Sequence, residues 1–227
     1  MPIPEAHATE NAGTSCMSTL DSTLDSTQTE INVSEPGWIP SGLYRISVDQ
    51  YEAMVASGAL PTRNRLHLIN GYLVAKMTQN PPHAIVDELL GVAFARILPA
   101  DRYHARSAKP VRIPGRDSEP DPDRAIARGT PRDFGHHHPE PREIALIVEI
   151  ADSSLADDRK LATHLYGPAG IPVYWIVNLV DRQVEVYSEP GPTGYRSLEV
   201  IAEDGSVPVT IDGQTLGQIA VAEILPS

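Results

Sequence analysis

Cysteine is almost missing from this chain of 227 residues, which carries only Cys16. No intramolecular disulfide can form, and nothing points to an oxidising compartment. Long apolar runs are missing too. No stretch of eighteen or more apolar residues occurs, which excludes a membrane-spanning helix. The opening MPIPEAHATENAG lacks the basic start and apolar stretch of a secretory signal, so a cytoplasmic location is expected. Aromatics are scarce, with two Phe and two Trp, leaving few platforms for stacking single-stranded bases. Glycine-rich phosphate loops, nucleophile elbows and Cys/His zinc spacings are absent as well, and those site classes drop out.

Positive charge is in deficit, at net −12. The deficit lies at the two ends. Residues 1–40 hold six acids and no Lys or Arg, residues 181–227 hold eight acids and two Arg, and residues 41–180 hold sixteen of each sign. An Arg-rich stretch, residues 102–132, could contact phosphates or could be a solvated hairpin face. Net charge therefore neither excludes nor supports a nucleic-acid substrate.

Residues 1–40, rich in Ser, Thr, Asp and Glu with the repeat STLDSTLDST, hold too few apolar groups to offset the entropy of ordering. They are expected to be a disordered tail, with residues 41–227 forming one α/β domain. SVDQYEAMVASG predicts a helix with Ser47 as N-cap and Gln50 closing a capping box. RLHLINGYLVAKM predicts a hairpin turning at Asn70-Gly71. NPPHAIVDELLGVAFARILP carries helical periodicity, with an apolar face assigned to Ile85, Leu89, Val92, Ala93, Arg96 and Ile97. An extended segment is expected over residues 103–113, a short strand at 125–127, a helix in DDRKLATHLYGPAG, a buried strand in PVYWIVNL, and antiparallel strands toward the C-terminus. That order describes a mixed central sheet flanked by helices.

IALIVEIADSS, residues 144–154, is the most informative segment. A near-continuous Ile/Leu/Val run fits a strand covered on both faces, yet it contains Glu149. An ionised carboxylate there is expensive unless it is paired or binds a metal. The acid-rich SEPDPD, residues 118–123, lies just upstream. Two acids meeting at neighbouring strand ends would make a site for a hard cation.

YRISVDQYEAMV, LINGYLV, NPPH, SEPDPDRAIARG, IALIVEIADSSLADDR and LYGPAGIPVYWIVNLVDRQVEVY, in that order, resemble the Uma-two type of restriction endonucleases in the PD-(D/E)xK nuclease superfamily. The resemblance covers roughly residues 43–190. It implies a restriction-endonuclease-like fold and a site holding Mg2+ or Mn2+ on acids of adjacent strands. It places the metal ligands at Asp123 and Glu149, and a recurrent histidine at His83. Three positions depart from the pattern. The superfamily lysine two residues after the Glu is Ala151, and the alternative helix lysine of this type aligns with Ala162. Lys160 is the nearest replacement, expected to position water, and His67 replaces an acid usual before the hairpin.

The function implied is Mg2+- or Mn2+-dependent hydrolysis of DNA phosphodiesters by Asp123, Glu149 and Lys160, with His83 as an accessory residue. A homodimer would suit double-strand cleavage. The alternative is an inactive nuclease-fold protein that binds nucleic acid or a protein partner. His136, His137 and His138 with Asp133 and Glu140 suggest a transition metal only superficially, because consecutive histidines cannot all face one ion.

Overall fold

Turn and cap chemistry sets the first elements where the sequence places them. The computed structural model describes residues 42–60, 66–76 and 78–226; the expected tail, residues 1–40, lies outside them. One compact unit spans Tyr44–Ser227. Ser47 caps α1 (Val48–Ala56), and Gln50 returns the reciprocal bond. Strands β1 (Leu66–Ile69) and β2 (Tyr72–Ala75) pair antiparallel. Asn70 and Gly71 both have positive φ at the turn, as a two-residue hairpin loop requires. Helix α2 (Pro81–Ile97) starts at Asn80, whose side chain accepts the His83 N–H.

The central sheet follows. Strands β3 (Tyr103–Ser107), β4 (Arg124–Arg128) and β5 (Ile144–Ala151) are antiparallel neighbours. Helix α3 (Leu155–Leu161) and a π-helical turn (Ala162–Tyr166) cross to β6 (Val173–Asn178), which pairs parallel with β5. Strands β7 (Gln183–Gly191) and β8 (Gly194–Ala202) extend the sheet antiparallel, giving six strands in the order β3 to β8. A separate hairpin, β9 (Ser206–Ile211) with β10 (Gln214–Ala220), and short α4 (Val221–Ile224) complete the C-terminal portion. The fold is thus a mixed α/β sheet flanked by helices. Among the described residues, no helix is long and apolar enough to cross a membrane.

All eight residues of β5 are buried, because both of its faces are covered. Leu146, Val148 and Ile150 join the apolar cluster built with α2, β9, β10 and α4. Ile147 and Ala151 join the opposite cluster, built with Ala162, Leu165 and Tyr166. Alternation along the strand places Glu149 on this second side.

Three expectations need correction. Helix α2 buries Val86, Leu90, Ala93 and Phe94, while Ile85 and Val92 remain exposed. Its apolar residues run nearly all round, so periodicity could not select the face that packs. The extended segment from residue 103 is a strand only to Ser107, since Ala108 takes a positive φ and ends it. Nor is the Arg-rich stretch one free phosphate-binding face. Arg112 pairs with Asp49, Glu52 and Glu140, Arg124 with Asp87, and Arg128 with Asp212.

Candidate active site

Strand pairing brings the two predicted acids together. Arg124 lies opposite Val148, and one further step along antiparallel strands sets Asp123 opposite Glu149 on one face. The carboxylates are then cross-braced by backbone. Asp123 N–H donates to Glu149 Oε2 at 2.9 Å, and Ile150 N–H donates to Asp123 Oδ2 at 2.9 Å. The Tyr166 hydroxyl, at the end of the π-helical turn, donates to Glu149 Oε1 at 3.0 Å. Both acids are buried, Asp123 at 4 % and Glu149 at 7 % exposure.

Sequence reasoning missed the cation beside them. Lys76, directly after β2, places Nζ 3.0 Å from Asp123 Oδ1 and 2.5 Å from the Asp121 carbonyl oxygen. Its side chain is 13 % exposed. A lysine at the end of a hairpin strand reads as a solvated edge charge, and only tertiary folding turns it inward. The nearest signal was its position between the hairpin and NPPH, the two segments that border the site. His83 does reach the site as expected, with Nε2–H donating to Asp123 Oδ2 at 2.9 Å. Its Nδ1 is buried with no hydrogen-bond partner among the described residues.

Lys160 is placed differently. Its side chain is 63 % exposed and Nζ pairs with Asp157 Oδ1 at 2.7 Å, at the rim of the same cavity. Ala151 and Ala162, the two positions where a lysine was sought, are both sealed in the apolar cluster. Asp158 is a third buried acid that sequence reasoning did not single out. It lines the cavity and accepts from Ser154 Oγ at 2.7 Å. His137 faces Glu143 and the Phe134 ring in its loop, away from these groups.

The cavity is about 380 Å³, and Lys76, His83, Asp123, Glu149, Asp158 and Lys160 are among its lining residues. Its electrostatics are divided. Burial opposes ionisation of Asp123, yet the His83 hydrogen bond, the Lys76 charge and the Ile150 N–H overcome it and hold this carboxyl well below its usual range. Glu149 goes the other way, pushed well above the usual range by burial and then by the Asp123 charge. Burial, together with the charges of Asp123 and Asp157, lifts Asp158 to about 6. Lys76 is desolvated, but the negative charges of Glu149 and Asp123 more than compensate and raise it. Adjacent carboxylates driven apart in this way are short of positive charge.

A hard divalent cation fits this donor set. The convergent side-chain acceptors are carboxylate oxygens, and Mg2+ needs only one or two carboxylates, with water completing its shell. The pair must rely on such waters, because among the described residues no three His, Cys, Asp or Glu side chains converge to hold an ion by themselves.

Comparison with known proteins bears on the same residues. Residues 48–220 match the Uma2 family, described as "Putative restriction endonuclease". No curated protein matches the chain. One solved structure, described as a "putative nuclease belonging to DUF820" from Anabaena variabilis ATCC 29413, superposes with a TM-score of 0.57 at 17 % sequence identity. The match covers 79 % of this chain and 97 % of that one, and at this identity it speaks to the fold. The family match runs from the first residue of α1 to the last of β10 and takes in both acids. This chain belongs to the Uma2 family of restriction-endonuclease-like proteins.

Proposed function

We propose that this chain is a cytoplasmic, divalent-metal-dependent endonuclease that hydrolyses DNA phosphodiesters, with Asp123 and Glu149 as its metal ligands. The observation that carries the reading is the convergence of these two buried carboxylates, from adjacent strands, on one cavity. Family membership supplies the nuclease class. Mg2+ or Mn2+, when bound, would neutralise phosphate charge and acidify the attacking water. The chain's own groups set the geometry. Cross-strand N–H bonds fix one oxygen of each acid, Tyr166 fixes the second oxygen of Glu149, and His83 holds Asp123 from the start of α2. Lys160 at the rim would meet the phosphate backbone outside the reacting group.

A second reading is an inactive member that binds nucleic acid or a partner. It is favoured by the apolar environment of Ala151 and Ala162, which supply no ammonium. Nicking of supercoiled plasmid with Mg2+ or Mn2+ separates the two readings. The wild type is expected to nick, and Asp123→Ala and Glu149→Ala to lose at least 100-fold in rate, consistent with removing electrostatic stabilisation. Equal cleavage by both variants refutes the assignment of the ligands.

A further inference from the structure

We infer that Lys76, delivered by the β1–β2 hairpin, is the catalytic ammonium of this site, in the role for which Lys160 was the sequence-based choice. The inference rests on the nuclease reading above and adds a residue to it. Three observations carry it.

The first is position. Lys76 Nζ lies 3.0 Å from Asp123 Oδ1, inside the cavity that holds both acids. The second is how its location is fixed. The Asp121 carbonyl oxygen at 2.5 Å gives the ammonium a backbone acceptor that does not depend on either carboxylate. A second donor, Gln79 Nε2, approaches the same Asp123 oxygen at 3.4 Å. The third is elimination among the described residues. Lys160 is mostly exposed and paired with Asp157, Arg159 is paired with Glu185, and Arg124 turns to Asp87 on α2. Among the cavity's lining residues, Lys76 is the one Lys or Arg within hydrogen-bonding distance of the acid pair, beside the His83 imidazole.

In hydrolysis the oxygen of water forms a new bond to phosphorus while one ester P–O bond breaks and its electron pair leaves on the sugar oxygen. One water proton ends on that oxygen and the other is released. Lys76 keeps its protons throughout. It donates hydrogen bonds to the attacking water and to a non-bridging phosphate oxygen, where charge accumulates. A compact ammonium on a four-carbon stem can serve both without leaving the cavity. Asp123 would help to hold the divalent cation and already carries the Lys76 ammonium on Oδ1, so Lys76 offsets carboxylate charge there and stays within the cavity that would take the phosphate.

The test uses the full chain and two readouts. Calorimetry with Mn2+ alone, in the absence of DNA, should give Lys76→Met an affinity equal to or tighter than wild type, because a competing positive charge on Asp123 is gone. Plasmid cleavage at saturating Mn2+ should fall at least 100-fold in Lys76→Met and by less than tenfold in Lys160→Met, which loses a rim contact to the phosphate backbone but no group at the reacting phosphorus. Should Lys76→Met not fold, Lys76→Arg keeps a charge for Asp123 and should still lose at least tenfold at saturating Mn2+. Cleavage by the folded Lys76 variant within threefold of wild type overturns the assignment, as does an equal loss in Lys160→Met. A wild type that binds Mn2+ and cuts nothing sinks the nuclease reading, and this assignment with it. A wild type that cuts while the Lys76 variants cut equally well sinks the assignment alone.

Discussion

Gly167→Ala tests how tightly the fold holds Glu149. Gly167 closes the π-helical turn, with its N–H on the Ala162 carbonyl at 3.1 Å. Its φ is −59 and its ψ −55, so alanine suits the backbone and brings no conformational strain. The obstacle is space. A Cβ at Gly167 would lie 2.6 Å from the Gly194 carbonyl carbon, 2.7 Å from Gly194 Cα and 2.9 Å from the Ala162 oxygen. Carbon atoms pack at about 3.5–4.0 Å, so the turn must back away from β8 by roughly 1 Å. These neighbours are backbone and cannot swing aside as a long side chain would. Overpacking of this kind costs about 1–3 kcal/mol, and alanine's helical preference over glycine returns up to about 1 kcal/mol.

A net loss of about 1–2 kcal/mol should lower Tm by roughly 2–8 °C in a chain of this size. Tyr166 is the adjacent residue, so the same displacement stretches its 3.0 Å bond to Glu149 and should weaken Mn2+ binding as well. Thermal unfolding followed by two probes, with and without Mn2+, measures both effects. Gly170→Ala is the control. Gly170 has φ +81 with nothing within 4 Å of the added carbon, so it should lose about 1–2 kcal/mol through backbone conformation alone and leave Mn2+ binding intact. An unchanged or higher Tm for Gly167→Ala would show that β8 yields to the turn, and the reasoning from contact distance would fail.

Glu149→Gln preserves shape while removing one of two facing carboxylates; metal-free stability should shift by under ~1.5 kcal/mol, as for near-isosteric exchange. The stabilisation of about 2.7 kcal/mol that Mn2+ at a hundred times its Kd would give a metal-binding wild type should be missing from this variant, and its survival in chemical denaturation would argue against Glu149 as a ligand. Asp87→Ala removes the carboxylate 2.7 Å from the Arg124 guanidinium, with both side chains largely buried, leaves it the Asp87 carbonyl oxygen, and should cost about 3 kcal/mol. Glu223→Ala breaks the exposed pair with Arg96 and should cost under ~1 kcal/mol; equal effects in urea unfolding would contradict this ranking by burial. Burial, followed by the charge of Glu52, raises Glu119 from 4.5 to about 8 in the folded protein. The folded state therefore keeps a proton that the unfolded chain releases near pH 4.5, so stability should fall between about pH 4.5 and pH 8. The slope is at most ~1.4 kcal/mol per pH unit. Glu119→Gln should flatten that fall, and parallel urea-midpoint profiles for the two proteins would refute the assignment.

The legible parts of this site were those where a residue contradicts its surroundings. Glu149 stands out because a charge interrupts IALIV and IA, and burial of the whole strand makes that interruption meaningful. Asp123 was harder, because Pro-Asp-Pro-Asp is ordinary turn chemistry, and the family resemblance selected it. The hairpin turn and the cap of α1 were readable because they depend on neighbours a few residues away. The packed face of α2 was not. That face is chosen by Val207, Val209 and Ile219 of a distant hairpin, and no local period encodes their arrival. Arg112, Arg124 and Arg128 read as a basic patch for the same reason, since their acids come from α1, α2 and the β9–β10 turn.

Carboxylates and ammonium also differ in what fixes them. Each acid takes a backbone N–H from the opposite strand, so its place is set by strand register. Moving either one residue along would turn it to the other face of the sheet. A lysine has no such constraint. Its long stem carries Nζ several ångströms from the backbone, and the ends of β2, β5 and α3 all border one cavity. Any of them can deliver a cation to the same point. A lysine missing at Ala151 and at Ala162 is therefore weak grounds for calling the chain inactive, whereas the loss of Asp123 or Glu149 would be strong grounds. The acids keep their sequence positions because the sheet requires it. The cation has to keep only its place in space, and Lys76 holds that place.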